Sequence, residues 1–132
     1  MNERFADTFY FLALFSAADE AHERAVQLNR ERRGVLVTTA WVLTEVADAL
    51  AAPQSRSVFL RLLAALRGDP RAVVVSADTE LFDRGVTLYT CRADKFWTLT
   101  DCISFIVMED RGIRDALTGD HHFEQAGFTI LF

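Results

Sequence analysis

The chain has 132 residues, half of them hydrophobic and a quarter charged, with a net charge of −5 from 19 acids and 14 bases. This length suits one domain, residues 1–132, with room for a core. The acid excess excludes a protein that coats nucleic acid through bulk charge, though not an enzyme that acts on it. No apolar stretch is long enough to cross a bilayer, and Met1-Asn2-Glu3-Arg4 opens no signal peptide, so the expectation is a cytoplasmic protein without membrane association. Cys91 and Cys102 form no C-x-x-C pair and read as reduced, mostly buried thiols.

The segment before Asp7 reads as a short strand weakened by Glu3 and Arg4, and a helix follows from Thr8 to Ser16. Asp19 caps a second helix reaching about Arg32, with Glu20, Glu23 and Arg24 on its wet side and Ala21, Ala25, Val26 and Leu28 on its dry side. Gly34 ends it, and Val35-Leu36-Val37 is a β-branched apolar strand. Thr38 or Thr39 starts a helix that stops near Ala52-Pro53. Ser55 or Ser57 caps the next, Arg56 to Arg67, closed by Gly68-Asp69-Pro70. Val58, Phe59, Leu62, Leu63 and Leu66 either pack into the core or leave apolar surface for a partner. Ala72 to Val75 is a buried-type strand. Asp78 opens a helix to about Tyr89, with Gly85 as a weak point inside it.

Thr90 to Leu99 is a loop, and Thr100 caps an apolar helix from Asp101 to Asp110. Arg111-Gly112 turns into a strand, Ile113 to Leu117. Thr118-Gly119-Asp120 is a loop, His121 to Gln125 a short helix, and Gly127 to Phe132 a last strand. Helices alternating with continuously apolar strands imply an α/β fold with a central parallel sheet flanked by helices. Its functional crevice is expected at the carboxyl ends of the strands.

Four acids, Asp7, Glu45, Asp101 and Asp120, sit in or against apolar runs. A desolvated carboxylate needs a partner, a proton or a cation, and a divalent metal is the simplest partner common to four. Each also has a plainer role. Asp7 and Asp120 suit helix caps, Asp101 suits a first turn facing the helix dipole, and Glu45 shares a solvated stripe with Trp41 and Asp48. His121 and His122 beside Asp120 suit either metal or phosphate binding or, more commonly for adjacent loop histidines, plain exposure, and Phe9 reads as core. Phosphate-binding glycine loops, the G-x-S-x-G elbow and an Asp-x-Asp after the first strand are all missing.

Ala6-Asp7-Thr8, Thr44-Glu45, the segment from Asp94 to Phe105 and Ala116-Leu117-Thr118-Gly119-Asp120-His121-His122-Phe123 occur in the order of the PIN-domain nuclease motifs. The chain resembles that family over nearly its whole length, and stand-alone members of this size include VapC-type toxins of toxin–antitoxin pairs. The resemblance implies a PIN-like three-layer fold and a Mg²⁺- or Mn²⁺-dependent ribonuclease. Asp7, Glu45, Asp101 and Asp120 would form its metal-binding, catalytic cluster. Thr8 and Thr118 would be supporting hydroxyls and Asp94 an outer member. RNA would be the substrate, a small protein antitoxin the partner, and a homodimer a further assembly. A fold-retaining interaction module without activity and an acid-cluster phosphohydrolase of another family are the alternatives.

Overall fold

The computed structural model describes residues 2–132. Five strands, β1 (Glu3–Ala6), β2 (Val35–Thr39), β3 (Ala72–Val75), β4 (Asp115–Leu117) and β5 (Thr129–Ile130), form one sheet in the order β3-β2-β1-β4-β5. Every pairing is parallel. Seven helices supply the connections: α1 (Thr8–Phe15), α2 (His22–Arg30), α3 (Ala40–Ala49), α4 (Arg56–Gly68), α5 (Thr79–Cys91), α6 (Leu99–Arg111) and α7 (His121–Gln125). The alternating α/β reading and the parallel sheet are therefore as expected.

The order of the strands locates a crevice. From β1 the chain builds outward to β2 and β3, then returns across the sheet to lay β4 on the other side of β1. At such a reversal the flanking connections diverge, leaving a cleft beyond the carboxyl ends of the two strands. Ala6 lies in register with Leu117, so Asp7 and Thr118 leave the sheet side by side.

Local chemistry sets most boundaries. Thr39 caps α3 by accepting from the Val42 amide at 3.1 Å, and Asp78 caps α5 by accepting from the Leu81 amide at 2.7 Å. Other expected caps fail: Ser55 stands at the start of α4 without a side-chain capping bond. Asp19 turns back onto the Ala21 amide and α2 starts only at His22. For α6 the cap is Thr98, not Thr100: Thr98 accepts from the Asp101 amide while Asp101 Oδ2 accepts from the Thr98 amide, each at 3.0 Å. This reciprocal capping box satisfies two donors that a helix start leaves open.

Helix α6 is apolar nearly all round because it is buried nearly all round, from Asp101 through Met108. Gly85 of α5 lets it lie close: a Cβ there would sit 2.4 Å from Ile103 Cγ1. What the sequence presents as a weak point in α5 is thus where the two helices touch. Trp97, Phe105, Phe123 and Phe128 stack edge-on or tilted at 5.0–5.7 Å between centroids and anchor the α6–α7 end of the core. Leu62 and Leu66 of α4 are buried and Phe59 and Leu63 partly so, which absorbs most of that helix's apolar face. Cys102 is buried, but Cys91 is exposed, contrary to expectation, because α5 extends to Cys91 with that residue on its outer side.

Candidate active site

Asp7, Glu45, Asp101 and Asp120 line one cleft of about 580 Å³ at the β1/β4 crevice, together with Thr8, Phe9, Thr98, Gly119, His121, His122 and Gln125. They arrive from four places: the end of β1, the second turn of α3, the first turn of α6 and the loop after β4. None of the residues lining the cleft is Arg or Lys.

Asp7 occupies the N-cap position of α1 yet makes no capping hydrogen bond. Its carboxylate turns instead toward the neighbouring loop, where the buried Thr118 hydroxyl donates to Oδ2 at 3.1 Å. Burial pushes the Asp7 carboxyl up to about 7, and the negative charges of Asp101 and Asp120 act in the same direction. The Thr8 amide and the Thr118 hydroxyl oppose that rise without cancelling it. The plain capping role is thus unfilled, and this carboxylate is held where its charge is unfavourable without a cation.

Glu45 is half-buried, and Thr8 donates to its Oε1 at 2.6 Å. Trp41 is likewise half-buried, and of that stripe only Asp48 is exposed. Thr118 serves two residues: besides donating to Asp7 it accepts from the Asp120 amide at 3.0 Å. Asp120 does cap α7, its Oδ1 accepting from the His122 amide at 2.9 Å, and it faces the cleft as well. Thr8 and Thr118 therefore each brace one acid directly.

His122, which the sequence presents mainly as an exposed loop residue, is half-buried against the acids. Its Nδ1 stands 2.9 Å from Asp101 Oδ2 and 3.5 Å from Asp120 Oδ1, with the side chain 28% exposed. The ring donates through Nδ1 to Asp101 Oδ2 while the His122 backbone amide donates to Asp120 Oδ1 at 2.9 Å, so this one residue ties two acids together. Asp101, Asp120 and His122 form a group whose candidate ligand atoms all lie within 4.8 Å of one another. Asp7 and Glu45 border the same cleft but stand outside that tight group. With Nδ1 donating, His122 orients the Asp101 carboxylate and keeps Nε2 free as an acceptor. The carboxylate-rich set suits a hard divalent ion such as Mg²⁺ or Mn²⁺.

Asp94 does not join the cleft. It lies on the surface in a two-point contact with Arg92, at 3.0 Å for each bond, and that guanidinium holds its carboxyl below the usual range. His121 is largely exposed at the rim and pairs with Glu124 at 2.7 Å. Phe9, expected in the core, forms a wall of the cleft. Its ring lies over Gly119, where a Cβ would come within 2.6 Å of Cζ. A larger groove of about 690 Å³ runs between α1, α2 and α4, with Phe11, Leu14 and Leu62 among its lining and Arg30, Arg61 and Arg71 along it. It holds none of the four cleft acids.

The sequence model of the PIN domain family matches residues 4–129. No curated protein matches the chain. Among solved structures, that of VapC20 from Mycobacterium tuberculosis, described as a sarcin-ricin loop cleaving toxin, is similar with a TM-score of 0.86 and 26% identity over 96% of both chains. FitAcB from Neisseria gonorrhoeae is similar in fold, with a TM-score of 0.68 and 13% identity over 98% of this chain and 96% of that one.

Proposed function

The chain belongs to the PIN domain family, and from that membership we propose that it is a divalent-metal-dependent ribonuclease and the toxin of a toxin–antitoxin pair. One observation carries the reading: four carboxylates meet at a cleft whose lining contains no Lys or Arg to neutralise them. A purely structural cluster gains nothing from such repulsion, whereas a divalent cation turns it into binding energy. Similarity to VapC20, described as a sarcin-ricin loop cleaving toxin, supports the substrate class.

In this reading Asp7, Glu45, Asp101 and Asp120 hold Mg²⁺ or Mn²⁺, and the whole chain 1–132 acts as one catalytic unit. A divalent ion held there would supply an acidified water and charge neutralisation. The chain's own residues set the geometry. Thr118 holds Asp7, Thr8 holds Glu45, and the capping box fixes Asp101 with His122 bridging it to Asp120. Attack by water leaves a 5′-phosphate and a 3′-hydroxyl.

The work is assigned to the cytoplasm, and no helix of the described residues is long and apolar enough to cross a membrane. The partner is a small antitoxin whose segment covers the acidic cleft or the apolar groove between α1, α2 and α4. The test is RNA incubated with Mn²⁺ or with EDTA, using the wild type and Asp101→Asn. Cleavage only with metal and intact Asp101 is expected. Cleavage in EDTA, or by the variant at the wild-type rate, overturns the reading.

A further inference from the structure

The absence of Lys and Arg from the cleft lining poses a problem for a ribonuclease. The usual grip on RNA is through basic side chains on phosphates, and here the surroundings of the scissile bond repel them. Affinity at this position has to come from the metal and from contacts to the bases. Single-stranded RNA is commonly held by bases stacking on aromatic side chains.

One aromatic is placed for this. Phe96 is 92% exposed, while the other exposed large hydrophobic side chains range from 37% to 61%. Scattered half-exposed apolar residues are ordinary, but a ring with almost no intramolecular contact is not packing against anything. It is also not on a loose tether. Trp97, next in sequence, is buried: its indole N–H donates to Gln125 Oε1 at 2.9 Å, and its ring meets Phe105 edge-on at 5.0 Å. The Arg92 guanidinium lies 5.0 Å from the Trp97 centroid. On the other side Thr98 is fixed by the capping box. Gln125 and Thr98 both line the cleft, so the segment that presents Phe96 is pinned to the cleft at two points.

Building on the ribonuclease reading, we propose that Phe96 is a base-stacking platform at the rim of the acidic cleft. It holds an unpaired nucleobase beside the phosphodiester, while the half-exposed Phe9 ring lines the cleft itself. Phe96 is a positioning residue: it touches substrate but not the reacting atoms. A flat ring recognises any base, so it favours single-stranded or looped RNA over a continuous duplex, whose bases are not available to it.

The variants are Phe96→Ala, Phe96→Leu and Phe96→Trp. The melting temperature should not move, because the ring supports nothing within the fold. Cleavage of a single-stranded RNA in Mn²⁺ should show KM raised about tenfold by Phe96→Ala, with kcat changed less than about twofold, from the usual worth of one stacked base. Phe96→Trp restores KM and Phe96→Leu, which keeps apolar area without a π face, does not. In parallel, binding of the same RNA carrying 2-aminopurine is followed by fluorescence in Ca²⁺. The wild type quenches the probe and Phe96→Ala does not. Equal KM and equal quenching in wild type and Phe96→Ala overturn the proposal, as does Phe96→Leu matching wild type. A change in sedimentation without a change in RNA binding also overturns it, by assigning the ring to a contact between copies of the chain. If the wild type cuts no RNA in Mn²⁺, the ribonuclease reading falls, and the quenching comparison still decides whether Phe96 stacks a base.

Discussion

Replacing Asp7 by Asn should remove a pH dependence of folding that originates in one side chain. The Asp7 carboxyl has an ordinary value of 3.8 and stands at about 7 in the fold, first because of burial and then because of Asp101 and Asp120. Between those limits the folded chain keeps a proton that the unfolded chain releases. Stability is therefore full below about pH 4 and falls as pH rises toward 7. A shift of about three units corresponds to at most ~4 kcal/mol across that window. For a domain of this size that is roughly 12–20 °C in Tm. Asn keeps the shape and an acceptor for the Thr118 hydroxyl but carries no charge. Asp7→Asn in EDTA should be nearly flat from pH 4.5 to 7.5 and more stable than wild type at the upper end. Urea unfolding followed by circular dichroism at half-unit steps measures both slopes. Asp69, Asp94 and Asp110, held below the usual range by the Arg71 amide and Arg32, by Arg92 and by Arg84, lose their contribution only as pH falls below the ordinary carboxylate range, so they add no slope to this window. Parallel pH profiles for the two proteins would refute this account of Asp7.

Metal should reverse the same penalty: the wild type at pH 7.5 should gain about 3 kcal/mol with Mn²⁺ at a hundred times its Kd, and Asp7→Asn clearly less, as read by thermal melting with and without EDTA. Asp101→Asn should lower RNA cleavage by more than the ~10–100-fold typical of losing an outer partner of a ligand, measured as the initial rate in Mn²⁺. Thr118→Val removes a buried hydroxyl that bonds both Asp7 and the Asp120 amide. It should cost about 1–3 kcal/mol in chemical denaturation and weaken Mn²⁺ binding by calorimetry. Gly119→Ala forces the Phe9 ring aside, since the added Cβ would lie 2.6 Å from it. An overpacking cost of about 1–3 kcal/mol and a disturbed cleft should appear as a lower Tm and slower cleavage.

Much of this arrangement can be read from residues alone, and the gaps have physical causes. Val35 to Val37 announces a parallel strand whose inner residues are buried, and Ala72 to Val75 is a parallel strand as expected but only half-buried, because it lies at the sheet edge. The last strand is overestimated because the Phe128 amide bonds to the Phe123 carbonyl, leaving only Thr129 and Ile130 in the ladder. Thr100 looks like the cap of α6 because it directly precedes Asp101, whereas the reciprocal bond needs Thr98, three residues upstream. The four acids stand out because carboxylates are rare inside apolar runs. His122 does not, since nothing in a His-His pair says which ring faces inward. That depends on Asp101, distant in sequence and near only after α6 docks. Asp94 is misleading for the opposite reason: Arg92, two residues away, satisfies it locally.

Asp101 Oδ2 accepts from the Thr98 amide at 3.0 Å and faces His122 Nδ1 at 2.9 Å, so both of those attachments converge on a single oxygen. Its other oxygen is thereby aimed by the start of α6 itself. Fraying of that first turn would disarm the cleft while the rest of the molecule stayed folded. The readiness of the site can then be followed without substrate, by the rate at which the Thr98 and Asp101 amides exchange with deuterated solvent.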